Sequence, residues 1–236
     1  MSAAPDLSLV LLAYNEEQSL GPVLDDALAY LDTRPGQHEV IVVDDGSSDG
    51  TLALARVAEA RDPRVRVVVH EQNRGMGAGM RSGFGAARGD YVVMLPADGQ
   101  VRAWEIDKLL PGLSQADIVL STYGDDRASR GLWRLTLSRG LRLLMQALIQ
   151  VSFELEGIYL FPVRAVREIG LDRVEAETFF FSFELITLAI ERGYTATTVV
   201  VRLHERMAGR SKVANLRQIR RVADELLRFA RRRRRG

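Results

Sequence analysis

Four short segments concentrate residue types that bind polar ligands. They are Ala13-Tyr14-Asn15-Glu16-Glu17, Asp44-Asp45-Gly46-Ser47-Ser48-Asp49-Gly50-Thr51, Asn73-Arg74-Gly75-Met76-Gly77-Ala78-Gly79 and Pro96-Ala97-Asp98-Gly99-Gln100. Any one of them could be an ordinary Asx turn or helix cap. Four in succession, each following an apolar run, favour a crevice for a polar ligand along one sheet edge. The Gly-rich segment fails as a dinucleotide fingerprint. From Gly75 that pattern needs glycine at position 80, where Met80 stands, and the segment follows the third apolar run rather than the first. A phosphate-binding Gly-x-x-x-x-Gly-Lys-Ser/Thr loop is absent. The glycines instead suit a close approach of backbone to ligand or to a neighbouring strand. Cysteine is absent, and His38, His70 and His204 lie far apart, so thiolate chemistry is excluded and a histidine-rich metal site is not expected.

The elements that must carry these segments follow from hydrophobic patterning. Apolar runs at 7–13, 40–44, 65–70, 91–95 and 117–122 predict strands. Helical patterns at 16–31, 51–60, from the Gly-rich turn to 87, and near 104–113 separate them. Strands without polar alternation, joined by helices, predict a mostly parallel sheet buried on both faces, the α/β doubly wound pattern. Further along, 127–152 is a long helical candidate whose charges are all positive (Arg127, Arg130, Arg134, Arg139, Arg142). A strand at 157–161, a helix at 182–192, a strand at 195–203 and a helix at 215–229 complete the expectation. The chain shows no internal repeat, and 231–235 is its one low-complexity run.

Composition sets the class. The 236 residues are 47% hydrophobic and 27% charged, which suits one large folded unit and excludes a disordered or collagen-like chain. The formal net charge of +1 hides an asymmetry, because residues 202–236 hold 13 Lys and Arg against 3 Asp and Glu. An acidic body with a basic tail suggests an anionic surface as partner. Charge alone gives only non-specific nucleic-acid affinity, so no nucleic-acid partner is expected. The N-terminus has no basic region ahead of its apolar run, and the uncharged stretch 143–153 is short of the roughly 20 residues a membrane span requires. The expected location is therefore cytoplasmic, or peripheral on the cytoplasmic face of a membrane.

The four segments, in this order and spacing over about residues 7–122, resemble the family 2 glycosyltransferases of the GT-A fold. Val42-Val43 before Asp44, and Gly83-Phe84 after the Gly-rich turn, belong to the same likeness. In the second half, Arg206 with Gly209, Ser211 and Lys212, and Phe183-Glu184-Leu185 followed by Gly193-Tyr194, are similar to polyprenyl-phosphate sugar transferases such as dolichol-phosphate mannose synthase. The resemblance implies an inverting transfer of a sugar from a nucleotide-diphosphate sugar to a polyprenyl phosphate. The alternatives are a soluble acceptor, or a degenerate nucleotide-binding module.

The resemblance also assigns residues. Ala13, Tyr14 and Glu16 line the base and ribose pocket, and Asp44 and Asp45 contact base or ribose. Asp98 and Gln100 hold or orient a divalent metal, Mg²⁺ or Mn²⁺, on the diphosphate. Arg206, Ser211 and Lys212 bind phosphate, with Asp98, Arg206 and Lys212 expected to carry catalysis. One position departs from the family, whose metal motif is usually Asp-x-Asp: Pro96 stands first here and cannot ligate metal. Asp125, Asp126, Glu154 and Glu184 are the candidate bases; a lipid phosphate acceptor, already anionic, needs positioning more than deprotonation. Glu184 could equally be a helix carboxylate paired with an arginine. The 127–152 helix could meet the lipid at a membrane interface, and the arginine tail adds attraction to anionic lipid. A membrane-protein partner would be compatible with that placement. The implied organisation is a single domain over 1–236. It divides into a nucleotide-sugar-binding half at 1–125, an acceptor half at 126–214 and a basic helix and tail at 215–236.

Overall fold

The structure is a computed structural model and describes residues 5–123, 153–204 and 216–234. The expected long helix at 127–152, Asp125, Asp126 and the Arg206–Lys212 segment lie outside the described residues.

Seven strands form one sheet in the order β3-β2-β1-β4-β6-β5-β7. The strands are β1 (Leu7–Ala13), β2 (Glu39–Asp44), β3 (Val65–Val69), β4 (Tyr91–Pro96), β5 (Ile118–Thr122), β6 (Tyr159–Pro162) and β7 (Ala196–Val200). β3, β2, β1 and β4 run parallel, as do β5 and β7. β6 is antiparallel to both of its neighbours, so the sheet is mostly parallel, as expected. Alternation along the strands divides the core. Val10, Ile41, Val43 and Val92 face α3 (Met76–Ala86), α5 (Val163–Ile169), α6 (Phe180–Glu191) and α7 (Leu216–Arg233). Leu9, Leu11, Val40, Val42 and Val93 face α1 (Leu20–Asp32), α2 (Thr51–Arg61) and the short α4 (Ile106–Leu109). Burial of these branched residues on both faces is the main source of stability.

The differences from the sequence expectation have local causes. α1 starts at Leu20 rather than at 16, because the intervening residues are tied to the loop after β2. The expected helix near 104–113 is a 3-10 turn at Ala103–Glu105, α4, and a second 3-10 stretch at Leu110–Ser114. Pro111 lacks the amide that would continue an α-helical ladder. α5 has no counterpart in the sequence expectation. It is seven residues long, starts directly after Pro162 and ends at Gly170 with φ +76°, too short to show helical periodicity. Gly83 sets the fit of α3 on the sheet, since a Cβ there would lie 2.4 Å from Val10 Cγ1.

His38 supplies a pH test of the fold. Its Nδ1 accepts the Leu7 amide at 3.0 Å and its Nε2 donates to the Pro35 carbonyl at 3.2 Å, fixing the neutral ring at the start of β1. Burial lowers the imidazole pKa from its ordinary 6.5. Above that value both folded and unfolded chains are neutral at His38, and its contribution is fully present. Below it, the unfolded chain takes up a proton that the folded chain resists, so stability falls with pH. We expect the urea midpoint to drop between about pH 7 and pH 5, with a smaller drop in His38→Asn. An equal drop in both proteins would assign the effect to other groups.

Candidate functional site

The register aligns three strand ends. Ala13 pairs with Asp44, and Leu12 pairs with Pro96, so β1, β2 and β4 finish in one row. β1 and β4 are also where the strand order turns back, the switch point at which open α/β sheets hold ligands. A cavity of about 450 Å³ lies there, lined by Leu12, Ala13, Tyr14 and Glu16 from β1 and the loop after it, and by Val43 and Asp45 at the end of β2 and just beyond it. Asn73, Gly75, Met76 and Gly79 at the start of α3, and Met94 to Asp98 from β4, complete it. Its lining combines apolar side chains with the carboxylates of Glu16, Asp45 and Asp98, which suits a flat ring with polar substituents.

The expected residues fall into three groups. Ala13, Tyr14, Glu16, Asp45 and Asp98 come together around the cavity. Asp44 ends β2 beneath it, 1% exposed; its Oδ2 accepts the Ser47 amide at 3.3 Å, while its Oδ1 has no hydrogen-bond partner among the described residues. A buried carboxylate oxygen without a donor is costly, and a donor from a ligand or water would relieve it. Gln100 does not line the cavity; its backbone amide donates to Asp98 Oδ1 at 3.0 Å. Gly99 between them has φ +71°. Arg206, Ser211 and Lys212 lie outside the described residues. The described chain ends before them at His204, whose amide donates to the Gln100 carbonyl at 2.8 Å. Glu105 fixes the same approach by accepting the Arg202 amide at 2.8 Å.

The polar residues of the first two segments mostly bind each other. Asn15, at φ +52°, accepts the Ser48 amide on Oδ1 at 2.8 Å, and its own amide donates to Ser47 Oγ at 3.0 Å. The Glu16 amide donates to Thr51 Oγ1 at 2.8 Å, and the Gly50 amide to Glu17 Oε2 at 3.1 Å. Asp49 accepts the Thr51 amide and hydroxyl and the Glu17 amide. Burial opposes its ionisation, but these donors outweigh it and hold Asp49 below the usual carboxylate range. The Asp-Gly-Ser-Ser-Asp-Gly-Thr run is therefore a brace between the β1 and β2 loops.

Asp45 organises the opposite wall. Its carboxylate accepts the Arg74 amide at 2.9 Å, the Gly75 amide at 2.8 Å and the His70 Nδ1 proton at 2.6 Å. His70 Nε2 meets Ser82 Oγ at 2.9 Å, linking the strand end to α3. Gly46, at φ +70°, lets the two loops cross, because a Cβ there would lie 2.4 Å from the Gln72 carbonyl carbon. Sequence reasoning misses His70. Its position one residue beyond β3, beside a strand-end carboxylate, is the available signal.

Two candidate bases are described. Glu184 is 1% exposed; it accepts the Glu175 and Ala176 amides at 3.2 and 2.9 Å and pairs with Arg232. That is the paired helix carboxylate of the two readings. Glu154 is half-buried and lies outside the cavity lining.

The family resemblance also implies a metal. No cluster of three His, Cys, Asp or Glu able to hold one occurs among the described residues. Pro96 puts a ring without donor atoms where a second carboxylate could stand. One cavity carboxylate, Asp98, fits Mg²⁺ or Mn²⁺ that takes most of its ligands from phosphates and water, and does not fit a protein cage.

A doubly wound sheet with a crevice at its switch point defines the class of open α/β proteins that hold ligands beyond the carboxyl ends of their strands. The model of glycosyl transferase family 2 matches residues 8–171, and the chain belongs to that family. Dolichyl-phosphate beta-glucosyltransferase of Mus musculus is 40% identical over 120 residues, covering 48% of this chain and 37% of the relative. The Drosophila melanogaster protein of the same name is 32% identical over 185 residues, 71% of this chain and 53% of the relative. The chain thus spans about a third to a half of the length of these curated relatives. The fold is shared with glucosyl-3-phosphoglycerate synthase of Mycobacterium tuberculosis, crystallised with Mn²⁺, uridine diphosphate and phosphoglyceric acid. That likeness has a TM-score of 0.68 and 23% identity, over 96% of this chain and 78% of the other.

Proposed function

We propose that the protein transfers a sugar from a nucleoside-diphosphate sugar to a polyprenyl phosphate, with inversion at the anomeric carbon. The observation that carries this reading is the cavity at the β1/β4 switch point, with Tyr14, Glu16, Asp45 and Asp98 around it. Family membership supports the reaction class, and the two dolichyl-phosphate beta-glucosyltransferases support the acceptor class. The nucleoside would enter between the β1 loop, with Tyr14 and Glu16, and the 73–75 loop held by Asp45. Asp98, with Gln100, would hold Mg²⁺ or Mn²⁺, which supplies charge neutralisation on the departing diphosphate. Arg206, Ser211 and Lys212 would add phosphate contacts from a segment that follows His204. A lipid phosphate attacks as an anion, so no side chain has to remove a proton from it; this accords with Glu184 being committed to amides and to Arg232.

A peripheral place on a membrane, with an anionic surface as partner, belongs to the same proposal. Among the described residues no helix is long and apolar enough to cross a membrane. α7 turns Arg220, Arg221, Arg228 and Arg231 outward, and its Val222, Leu226 and Phe229 inward. Each outward arginine adds about 1 kcal/mol of attraction near anionic lipid. We expect the protein to float with anionic vesicles at low salt and to be released by high salt. Equal flotation with neutral vesicles would contradict the electrostatic part.

Pro96 favours a second reading, in which the crevice binds nucleotide without transfer. Calorimetric titration with uridine and guanosine diphosphates, with Mn²⁺ or with EDTA, tests what the two readings share. Both predict binding of one diphosphate, and the transfer reading predicts that it depends on metal. Absence of binding by either would overturn both.

A further inference from the structure

Four consecutive amides, those of Glu175, Ala176, Glu177 and Thr178, are received by two buried carboxylates from different helices. Glu184 of α6 accepts the first two, at 3.2 and 2.9 Å. Glu225 of α7 accepts the next two, at 3.1 and 3.4 Å, and also the Thr178 hydroxyl at 2.6 Å. Glu184 and Glu225 are 1% and 5% exposed. Burying a carboxylate is costly unless donors surround it, so each holds its part of the loop firmly. Arg232, from the last turn of α7, pairs with both Glu184 and Glu175.

The loop held in this way bears on the cavity. The Glu177 carbonyl accepts the Gly77 amide at 2.9 Å, in the first turn of α3, where an amide has no partner within the helix. A Cβ on Gly77 would lie 2.5 Å from Glu177 Cα, so the loop backbone rests directly on the helix start. Gly75, Met76 and Gly79, on either side of Gly77, line the cavity.

We propose that Glu225, together with the Glu184–Arg232 pair, forms a set of positioning residues for the donor pocket. They act through the 175–178 loop on the start of α3. Resting on the nucleotide-sugar reading above, this gives the arginine-rich C-terminal helix a second role, in which it holds one wall of the donor site from behind. None of these side chains lines the cavity, so their effect falls on donor affinity rather than on the chemical step.

The test compares Glu225→Gln, the milder Thr178→Val, and Leu226→Ala as a control that weakens the packing of α7 without removing a hydrogen-bond acceptor from the loop. Amide exchange is followed at 76–79 and at 175–178. In Glu225→Gln both segments should lose protection, while Leu226→Ala, matched in stability by adjusting urea, should spare 76–79. The KM for donor, and the dissociation constant of nucleoside diphosphate with Mn²⁺, should rise about five- to tenfold in Glu225→Gln with kcat within about twofold. Thr178→Val should move the same quantities in the same direction, by less. Protection lost at 175–178 but kept at 76–79, or the same KM shift in Leu226→Ala, overturns the coupling. If the wild-type protein binds no nucleoside diphosphate, the functional reading fails, and exchange at 76–79 still decides the coupling.

Discussion

Asp98→Asn should lower sugar transfer by about a hundredfold to a thousandfold and leave the unfolding transition unchanged. The substitution keeps an Oδ1 that can accept the Gln100 amide, so the turn after β4 survives. What it removes is the negative charge at the end of β4. With Pro96 two residues earlier, Asp98 is the one cavity carboxylate on that strand end, and nothing on the strand replaces it. The loss should fall on kcat, and raising Mn²⁺ should recover part of it if metal affinity is the main deficit. An Asp98→Asn protein with wild-type turnover would remove Asp98 from the metal site and from catalysis.

The second large effect is expected at Asp45. Asp45→Ala leaves the Arg74 amide, the Gly75 amide and His70 Nδ1 without the acceptor that orders them. Removing the acceptor shared by the buried His70 and two partly buried loop amides should cost about 2–4 kcal/mol of folding stability, read as a lower urea midpoint at unchanged slope. Because the 73–75 loop forms a wall of the cavity, donor affinity should fall at the same time. Asp98→Asn loses rate without stability, whereas Asp45→Ala should lose both. An Asp45→Ala protein of native stability would show that its hydrogen bonds contribute nothing net.

The sequence carries the sheet and the position of the crevice more clearly than the work of individual residues. Uninterrupted apolar runs at β1, β2 and β4 require burial on both faces, and the polar segments that follow them have to meet at one sheet edge. Cross-loop bonding is not legible. Asn15, Ser47 and Ser48 look like ligand residues until the two loops are seen to lie side by side and bind one another. Asp45 reads as a contact to base or ribose; its bonds to His70 and to two loop amides 29 and 30 residues away leave no trace in the sequence. Glu184 can be read as a base or as an arginine partner. The choice depends on Arg232, 48 residues further along and brought back by α7. Pairings at such separations leave no periodic trace, because each is made by packing of whole elements.

Sugar transfer to a polyprenyl phosphate is open to one decisive assay. Purified protein is incubated with labelled nucleotide sugars, a polyprenyl phosphate in detergent, and Mg²⁺, Mn²⁺ or EDTA. Labelled lipid should form from one of the donors, only with metal, and should fall about a hundredfold or more with Asp98→Asn. Donor turnover onto a soluble acceptor with no labelled lipid, or nucleotide binding with no turnover of any donor, would refute transfer to the lipid.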